Sequence, residues 1–504
     1  MFEKNFALFM ERFPKQALQL TGEKSPFSPT EEEALYFYGI GNGSVYFQFK
    51  EWLKQNEARR LIFLDEDYSP FLEMQRAQEI LSDPQVEMAD PSEIEILVQK
   101  FPFGKIEVAC LPSRICPKFK KLRLELLRKT TLSHAERRDR LHGYQPFENF
   151  VKNVPLLSKS FYANDLKDRF KNIPAILCGA GPSLKEAMPH LKKAEGKALI
   201  FAGGSTLAAL SSQGVMPHFA MAIDPNLDEY RRFRNHFAFE VPLLYSTRVF
   251  PSIFQTLNGP LGYFRSGIGG APELWMEEEL GLTDRLLGFD LSSEAMSVTA
   301  ICLAYIHLLG CNPILFSGVD LAYTGGKRYF EGVGIDEKIE ASATSDKLIR
   351  KKGRDGKSVL TAIRWLMESA TLSDFAKKHS ETTFINTTSG GLGLKGIPFT
   401  PIEEALRGFT EERNLRKRVL EAIQSSPMPE KTAQIVQDKM RELTSSLDRI
   451  IGYLEVLVKK NSPLDELDLV EEMAYPYLFY DVNQLLSKED KWKEFLNLAK
   501  QYRN

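Results

Sequence analysis

The chain has 504 residues, 43% of them hydrophobic and 26% charged, and 65 basic against 67 acidic side chains leave a formal net charge of −2. That length exceeds what one ordinary core encloses, so two or three domains are expected, and the balanced charge supplies no general positive field for nucleic acid or an anionic membrane. Charges interrupt the opening "MFEKNFALFMERFPKQ", no run approaches the ~20 apolar residues of a membrane span, and the five cysteines form no CxxC pair, so a cytoplasmic protein without a metal cluster is expected.

In chain order, "ALYFYGIGNGSVYFQFKEWLK" reads as strand, Gly-rich turn and helix, and "RLIFLDEDYSPFLEMQRAQEIL" as a second strand ending in acids and then a helix. Together they predict a βαβ unit with parallel strands, within an N-terminal α/β Rossmann-like domain over 1–150. Residues 151–401 alternate strands and helices. "PAILCGAG", "KALIFAGG", "HFAMAID", "PLLYSTRV" and "PILFSGVD" are short apolar strands, and a helix is predicted over Val298–Leu309. The pattern predicts a central doubly wound α/β domain, whose ligands sit at the carboxyl ends of its strands. From 402 to 504 the texture is helical. Ile435, Met440, Leu443, Leu447, Ile451 and Leu454 form one apolar stripe, which predicts a helical domain packed on the body.

The strand ends carry the candidate chemistry. In "ILCGAGPSLKEAMPHL", Gly179 and Gly181 expose backbone amides, Pro182 suits a first helical turn, and Ser183 and Leu184 begin the helix. An anion is favoured at such a place, although a plain tight turn has the same composition. Gly203, Gly204, Ser205 and Thr206 repeat the arrangement, with helix capping as the alternative. Asp224 in "MAIDPN" and Gly318 and Asp320 in "LFSGVDLAY" end strands, where a carboxylate binds a hydroxyl or metal, or merely fixes a loop. Asn386, Thr387, Ser389, Gly390 and Gly391 make a small polar turn. The seven histidines avoid these strand ends, and His307 on an apolar helix reads as a core residue. The polar run 332–358 reads as a charged loop or lid, basic through Lys347, Arg350, Lys351, Lys352, Arg354 and Lys357.

Across about 170–400, "CGAGPSL", "AIDPN", "SVTAICLAYIHLLGCNPILFSGVDLAY" and "INTTSGGLGLKGIPF" resemble, in order, the central domain of the bacterial motility-accessory-factor glycosyltransferases. That family shares the domain with archaeal 6-hydroxymethylpterin diphosphokinases. A family of bacterial sialyltransferases is also similar: it opens with Gly-x-Gly-Pro-Ser-Leu and ends a later strand in Gly-Ile-Asp. By that resemblance the donor is a CMP-linked acidic sugar held by Gly179–Leu184 and Gly203–Thr206, and Tyr323 and Tyr329 support the departing phosphate. Two departures stand out. Ala180 replaces the sialyltransferases' Asn, and "GRDGKSVLTAIRWLMESA" lacks their general-base His, which leaves Asp224, Asp320 and, more weakly, Asp355 as bases.

The resemblance implies an inverting glycosyltransferase that moves a nonulosonic acid of the pseudaminic or legionaminic type from a CMP-sugar to Ser or Thr of a protein such as flagellin. It implies no bound cofactor and no metal. Two alternatives accompany it. One is a pterin pyrophosphokinase using ATP and Mg²⁺, with Asp224 and Asp320 as ligands. The other is a non-catalytic nucleotide-sugar-binding accessory protein.

Overall fold

The computed structural model describes residues 31–503, except for 75, 142–143, 292–296, 331–332, 334–347, 461–471 and 473–490. Residues 332 and 334–347 of the predicted loop 332–358, Lys347 included, therefore lie outside the described residues. The described residues form two compact units, one within 1–138 and the other within 139–344 and 348–504.

In the first unit, β1 (Ala34–Tyr38), β2 (Arg60–Leu64), β3 (Val86–Ala89) and β4 (Ile106–Cys110) form a parallel sheet ordered β3-β2-β1-β4. The predicted βαβ unit is present, with the helix Ser44–Lys54 between β1 and β2. The Gly-rich turn after β1 closes on the acidic end of β2, where the Ile40 amide donates to Asp65 Oδ2 at 2.9 Å.

The second unit is built on β5 (Phe161–Tyr162), β6 (Ala175–Cys178), β7 (Leu199–Gly203), β8 (Phe219–Ala222), β9 (Leu243–Tyr245), β10 (Leu261–Tyr263), β11 (Ile314–Ser317) and β14 (Phe384–Asn386). All neighbours run parallel, in the order β14-β11-β6-β7-β8-β9-β10-β5. Alternation along each strand fills two cores. Ile176, Cys178, Ile200, Ala202 and Leu315 face one side, with the helices Leu184–Ala194 and Gly204–Ser212. Ala175, Leu177, Leu199, Phe201 and Phe316 face the other, with the helices Val298–Leu308 and Ile363–Lys378. Strands buried on both faces read as continuous apolar runs, which is why β6, β7, β8, β9 and β11 were legible. The architecture is doubly wound, as expected.

One local expectation changes. From residue 348 the predicted charged loop is an antiparallel hairpin of β12 (Leu348–Lys352) and β13 (Ser358–Ala362). Arg350, Lys351 and Lys352 lie along β12, while Arg354 and Lys357 are in the turn that joins it to β13.

In the C-terminal part the long helix runs Thr432–Lys460. Leu443, Leu447, Ile450, Leu454 and Leu457 are buried with Phe495 and Ala499 of the helix Lys491–Arg503. Ile435, Met440 and Ile451, counted in the predicted stripe, are only partly buried at its edge.

Candidate functional site

The sheet runs outward from β6 through β7, β8 and β9 to β10, and in the other direction from β6 through β11 to β14. The order reverses between β6 and β11, and a crevice opens at such a point beyond the strands' carboxyl ends. Two of the predicted motifs meet there. The Gly179 amide donates to Ser317 O at 2.8 Å and the Gly181 amide to Gly318 O at 2.9 Å. A Cβ on Gly179 would lie 2.5 Å from Gly318 O, so the two turns touch backbone to backbone.

The start of the helix Leu184–Ala194 already faces an anion, the protein's own Asp320. The carboxylate is buried and accepts from the Ser183 hydroxyl, from the Ser183 amide at 3.4 Å and from the Thr324 hydroxyl at 2.6 Å. Burial raises its pKa, and the Ser183 hydrogen bond opposes that rise. A negative group at a helix start is favoured by the free amides and the helix dipole, so the physics that suggested a phosphate is satisfied here in part by a side chain. Glu273 acts similarly beyond β9, accepting from the Thr247 amide at 2.7 Å, the Ser246 hydroxyl at 3.0 Å and the Gly269 amide at 2.8 Å.

The end of β7 is different. Gly203 is the N-cap of the helix Gly204–Ser212 and has no side chain with which to cap it. Ser205 and Thr206 lie inside the first turn, past the cap position that the sequence offered them. Gly204 admits a close neighbour: a Cβ there would meet the Phe233 ring at 2.7 Å and Arg232 Cβ at 3.4 Å. Arg232 Nη1 pairs with Asp224 and with Glu229, each at 3.0 Å. Its Nε has no hydrogen-bond partner among the described residues. The Cβ of the half-buried Arg232 thus lies beside the helix start, and its guanidinium is held by Asp224 and Glu229.

Glu229 is almost wholly buried. Burial, and then the neighbouring Asp224 charge, pushes its pKa from 4.5 up to about 8, with Arg232 opposing. Between those values the folded state holds a proton that the unfolded state has released, so the stability contributed by Glu229 falls as pH rises through that window. Glu229→Gln is expected to flatten this decline. Thermal midpoints of both proteins from about pH 5 to about pH 8 check it, and parallel slopes would assign the decline to another group.

The segment after Asp320 folds back over the crevice. The Phe330 amide donates to Ala180 O at 2.8 Å, which sets Arg328 and Tyr329 beside the Gly-Ala-Gly turn. Arg328 lies 4.8 Å from the Tyr329 ring and 5.5 Å from the Trp365 ring. Trp365 in turn meets Tyr323 edge-on at 5.3 Å. The Tyr329 phenol lies within electrostatic reach of the Arg232 guanidinium. The two predicted tyrosines are therefore placed differently: Tyr323 is buried against Trp365, while Tyr329 is half-buried and faces the arginines.

The polar turn after β14 braces this arrangement. Val319 donates to the Thr388 hydroxyl at 3.1 Å and Leu392 to Asp320 O at 2.9 Å. Gly390 and Gly391 pack directly on Thr324 and Asp320. Arg354, from the β12–β13 turn, donates to Ser389 O at 2.6 Å. Asp355 is at the same turn, where it accepts from the Lys357 amide at 3.0 Å.

The structure brings together Gly179, Gly181, Ser183, Leu184, Gly318, Asp320, Ser389, Gly390 and Gly391 in one packed layer. Gly203, Gly204, Asp224 and Tyr329 gather around Arg232. Arg232, Arg328 and Trp365 escaped the sequence reading, for each lies outside a Gly- or Asp-rich strand end. The signal was present in "GGKRY", where a cation directly precedes a candidate tyrosine. The buried His218 accepts the Ile200 amide at 3.0 Å, and burial lowers its pKa to about 3.

Residues 148–326 match the family described as 6-hydroxymethylpterin diphosphokinase MptE-like. The matched segment contains both Gly-rich turns, Asp224 and Asp320 and stops just short of Tyr329. The chain is also similar in structure to the Maf glycosyltransferase from Magnetospirillum magneticum AMB-1, with a TM-score of 0.50 and 16% identity over 99% of this chain and 81% of that one. At that identity the likeness is one of fold. No curated protein sequence matches the chain. Among the described residues, no helix is long and apolar enough to cross a membrane.

Proposed function

We propose that this protein is a glycosyltransferase that moves a nonulosonic acid, of the pseudaminic or legionaminic type, from its CMP-linked form to Ser or Thr of a flagellin-like protein. One observation carries the reading. One strand from the switch point, the uncapped helix start at Gly203–Thr206 has Arg232 packed against Gly204, Tyr329 lies within electrostatic reach of Arg232, and Arg328 overlies the Tyr329 ring. Such a cluster offers amides, two cations and a phenol to a single phosphate. The fold shared with the Maf glycosyltransferase is consistent with it.

In this reading the donor phosphate rests on the amides of Gly204–Thr206. Arg328 and the Tyr329 hydroxyl stabilise the negative charge that grows as CMP leaves with the bonding electron pair. The acceptor hydroxyl attacks the anomeric carbon from the opposite side, which inverts its configuration. Asp224 takes the hydroxyl proton, since its side chain is 38% exposed at the crevice, whereas Asp320 is buried under Ser183 and Thr324. Tyr323 positions the segment through Trp365.

The second reading, an ATP- and Mg²⁺-dependent pyrophosphokinase acting on a pterin, is favoured by the family match over 148–326. Its metal ligands would be Asp224 and Asp320. Asp224 is paired with Arg232 and Asp320 is held by two hydroxyls, so both would first have to surrender these partners.

Thermal shift with CMP, CDP, ATP and a CMP-nonulosonic acid, each with and without Mg²⁺, tests the proposal. The cytidine nucleotides are expected to stabilise the protein without Mg²⁺, and Arg328→Ala to weaken their binding about tenfold, the loss of one charge-assisted hydrogen bond. Stabilisation by ATP with Mg²⁺ alone would replace this reading with the second.

A further inference from the structure

The opposite end of the same sheet holds a cavity of about 710 Å³, lined by residues that precede the strands, such as Asn172, Asn312 and Thr382. On its wall stand His307, near the end of the helix Val298–Leu308, His379, the residue that closes the helix Ile363–Lys378, and Glu381. Each offers one ligand atom, and these atoms lie within 4.8 Å of one another.

The hydrogen bonding around the two rings leaves a specific deficit. His379 Nε2 lies 2.5 Å from Asp290 Oδ2, and since a carboxylate accepts, that nitrogen carries the proton. In a neutral ring, Nδ1 then presents a lone pair toward Glu381 Oε1, 3.3 Å away. Two acceptors facing each other at that distance need a positive centre between them. His307 turns toward the same place: its Nδ1 meets the Thr382 hydroxyl, which can donate to it, at 3.3 Å, and its Nε2 points to the same Glu381 oxygen at 3.7 Å. With protons alone, His379 would have to be a half-buried imidazolium donating to both Asp290 and Glu381, its ring centroid 4.2 Å from that of His307. Burial, and then the neighbouring His379, lowers the His307 pKa, which favours the neutral ring that ligates a metal.

We propose that His307 Nε2, His379 Nδ1 and Glu381 form a binding site for a divalent transition metal of the zinc class, with a fourth position open to the cavity. Two of the three separations, 3.3 and 3.7 Å, bracket the edge of a tetrahedron with bonds of about 2.1 Å, roughly 3.4 Å, and the third is within 4.8 Å. Two imidazoles and a carboxylate suit that ion class. The His379–Asp290 bond is the outer contact that holds a metal-bound histidine in its tautomer. Both helix C-termini also favour a cation. A bound ion would tie the two helix ends to the segment entering β14, at the far end of the sheet from the switch point.

Titration of the full-length, chelator-treated protein with Zn²⁺ against a chromogenic chelator tests the site, and the Co²⁺ absorption spectrum reports its geometry. One equivalent of ion is expected, with d–d bands of a four-coordinate site. Glu381→Gln should weaken binding at least about tenfold without altering the metal-free thermal midpoint, since Glu381 is 65% exposed. His307→Ala and His379→Ala should abolish it, and Asp290→Asn should weaken it about 10- to 100-fold as a positioning change. His190→Ala, on a different helix, is the control. Absence of stoichiometric binding, or binding equal in Glu381→Gln and the unmodified protein, would overturn the proposal in favour of a plain ion-pair cluster. Neither result bears on the nucleotide site.

Discussion

Replacing Gly391 by alanine is expected to cost about 3 kcal/mol or more of stability and to disorganise the crevice. Its φ is +75°, a left-handed conformation that costs a residue with a Cβ about 1 kcal/mol or more. The larger part is steric. A Cβ at this position would fall 1.9 Å from Asp320 O and 2.6 Å from the Asp320 Cα, and backbone cannot swing aside like the end of a side chain. The Leu392 amide bonds that same carbonyl at 2.9 Å, so the two turns would have to part and leave a buried pair unmade. Gly396 supplies the comparison, with a similar φ of +82° and nothing within 4 Å of its Cβ position. Gly396→Ala should cost only about 1 kcal/mol. Thermal midpoints of the two variants measure the difference. Equal shifts would mean that the turns do not touch as described.

Asp320→Ala is expected to cost about 2–3 kcal/mol and to lower transfer in the proposed reaction about 100-fold. The carboxylate is the common acceptor for the Ser183 hydroxyl, the Ser183 amide and the Thr324 hydroxyl, all in a buried setting. Removing it strands these donors, at about 1–3 kcal/mol for a buried unsatisfied group, and takes a favourable charge from the helix start. The activity loss follows from geometry. Thr324 begins the segment that carries Arg328 and Tyr329, and displacement of catalytic groups by about 1 Å costs rates on the order of 100-fold. Asp320→Asn keeps the shape and one acceptor oxygen, so it should retain more stability and more activity than Asp320→Ala. If both variants transferred like the unmodified protein, the Asp320 cluster would be remote from the chemistry.

Much of the architecture was legible in the sequence because the signals were local. A short apolar run that ends in Gly or Asp and gives way to a helical pattern is a parallel strand followed by a crossover, and five such runs specified a doubly wound sheet. The strands that were not foreseen, β5, β10 and β14, are only two or three residues long; β9 is as short, but its Leu-Leu-Tyr run after Pro242 was legible. Their pairing comes from neighbours in space, with too little side-chain alternation to leave a pattern. The hairpin over 348–362 was hidden by its charges. Lys and Arg cover strand surfaces with their methylene stems while the charge stays in water, so a basic run is compatible with either a loop or a strand.

By itself, the sequence determined the doubly wound class, the strand ends that carry Gly, Ser and Asp, and the helical texture of the C-terminal part, all properties of contiguous residues. Only the tertiary structure decided which strand ends meet. It set "CGAGPS" against "SGVD" at the point where the strand order reverses. It placed Asp320 at the helix start where a phosphate was expected, and left the start at Gly203 uncapped beside Arg232 and Tyr329. The physical reason is that an unsatisfied helix start attracts any anion within reach. Whether that anion comes from the chain or from a ligand depends on residues more than a hundred positions away, which local pattern does not encode.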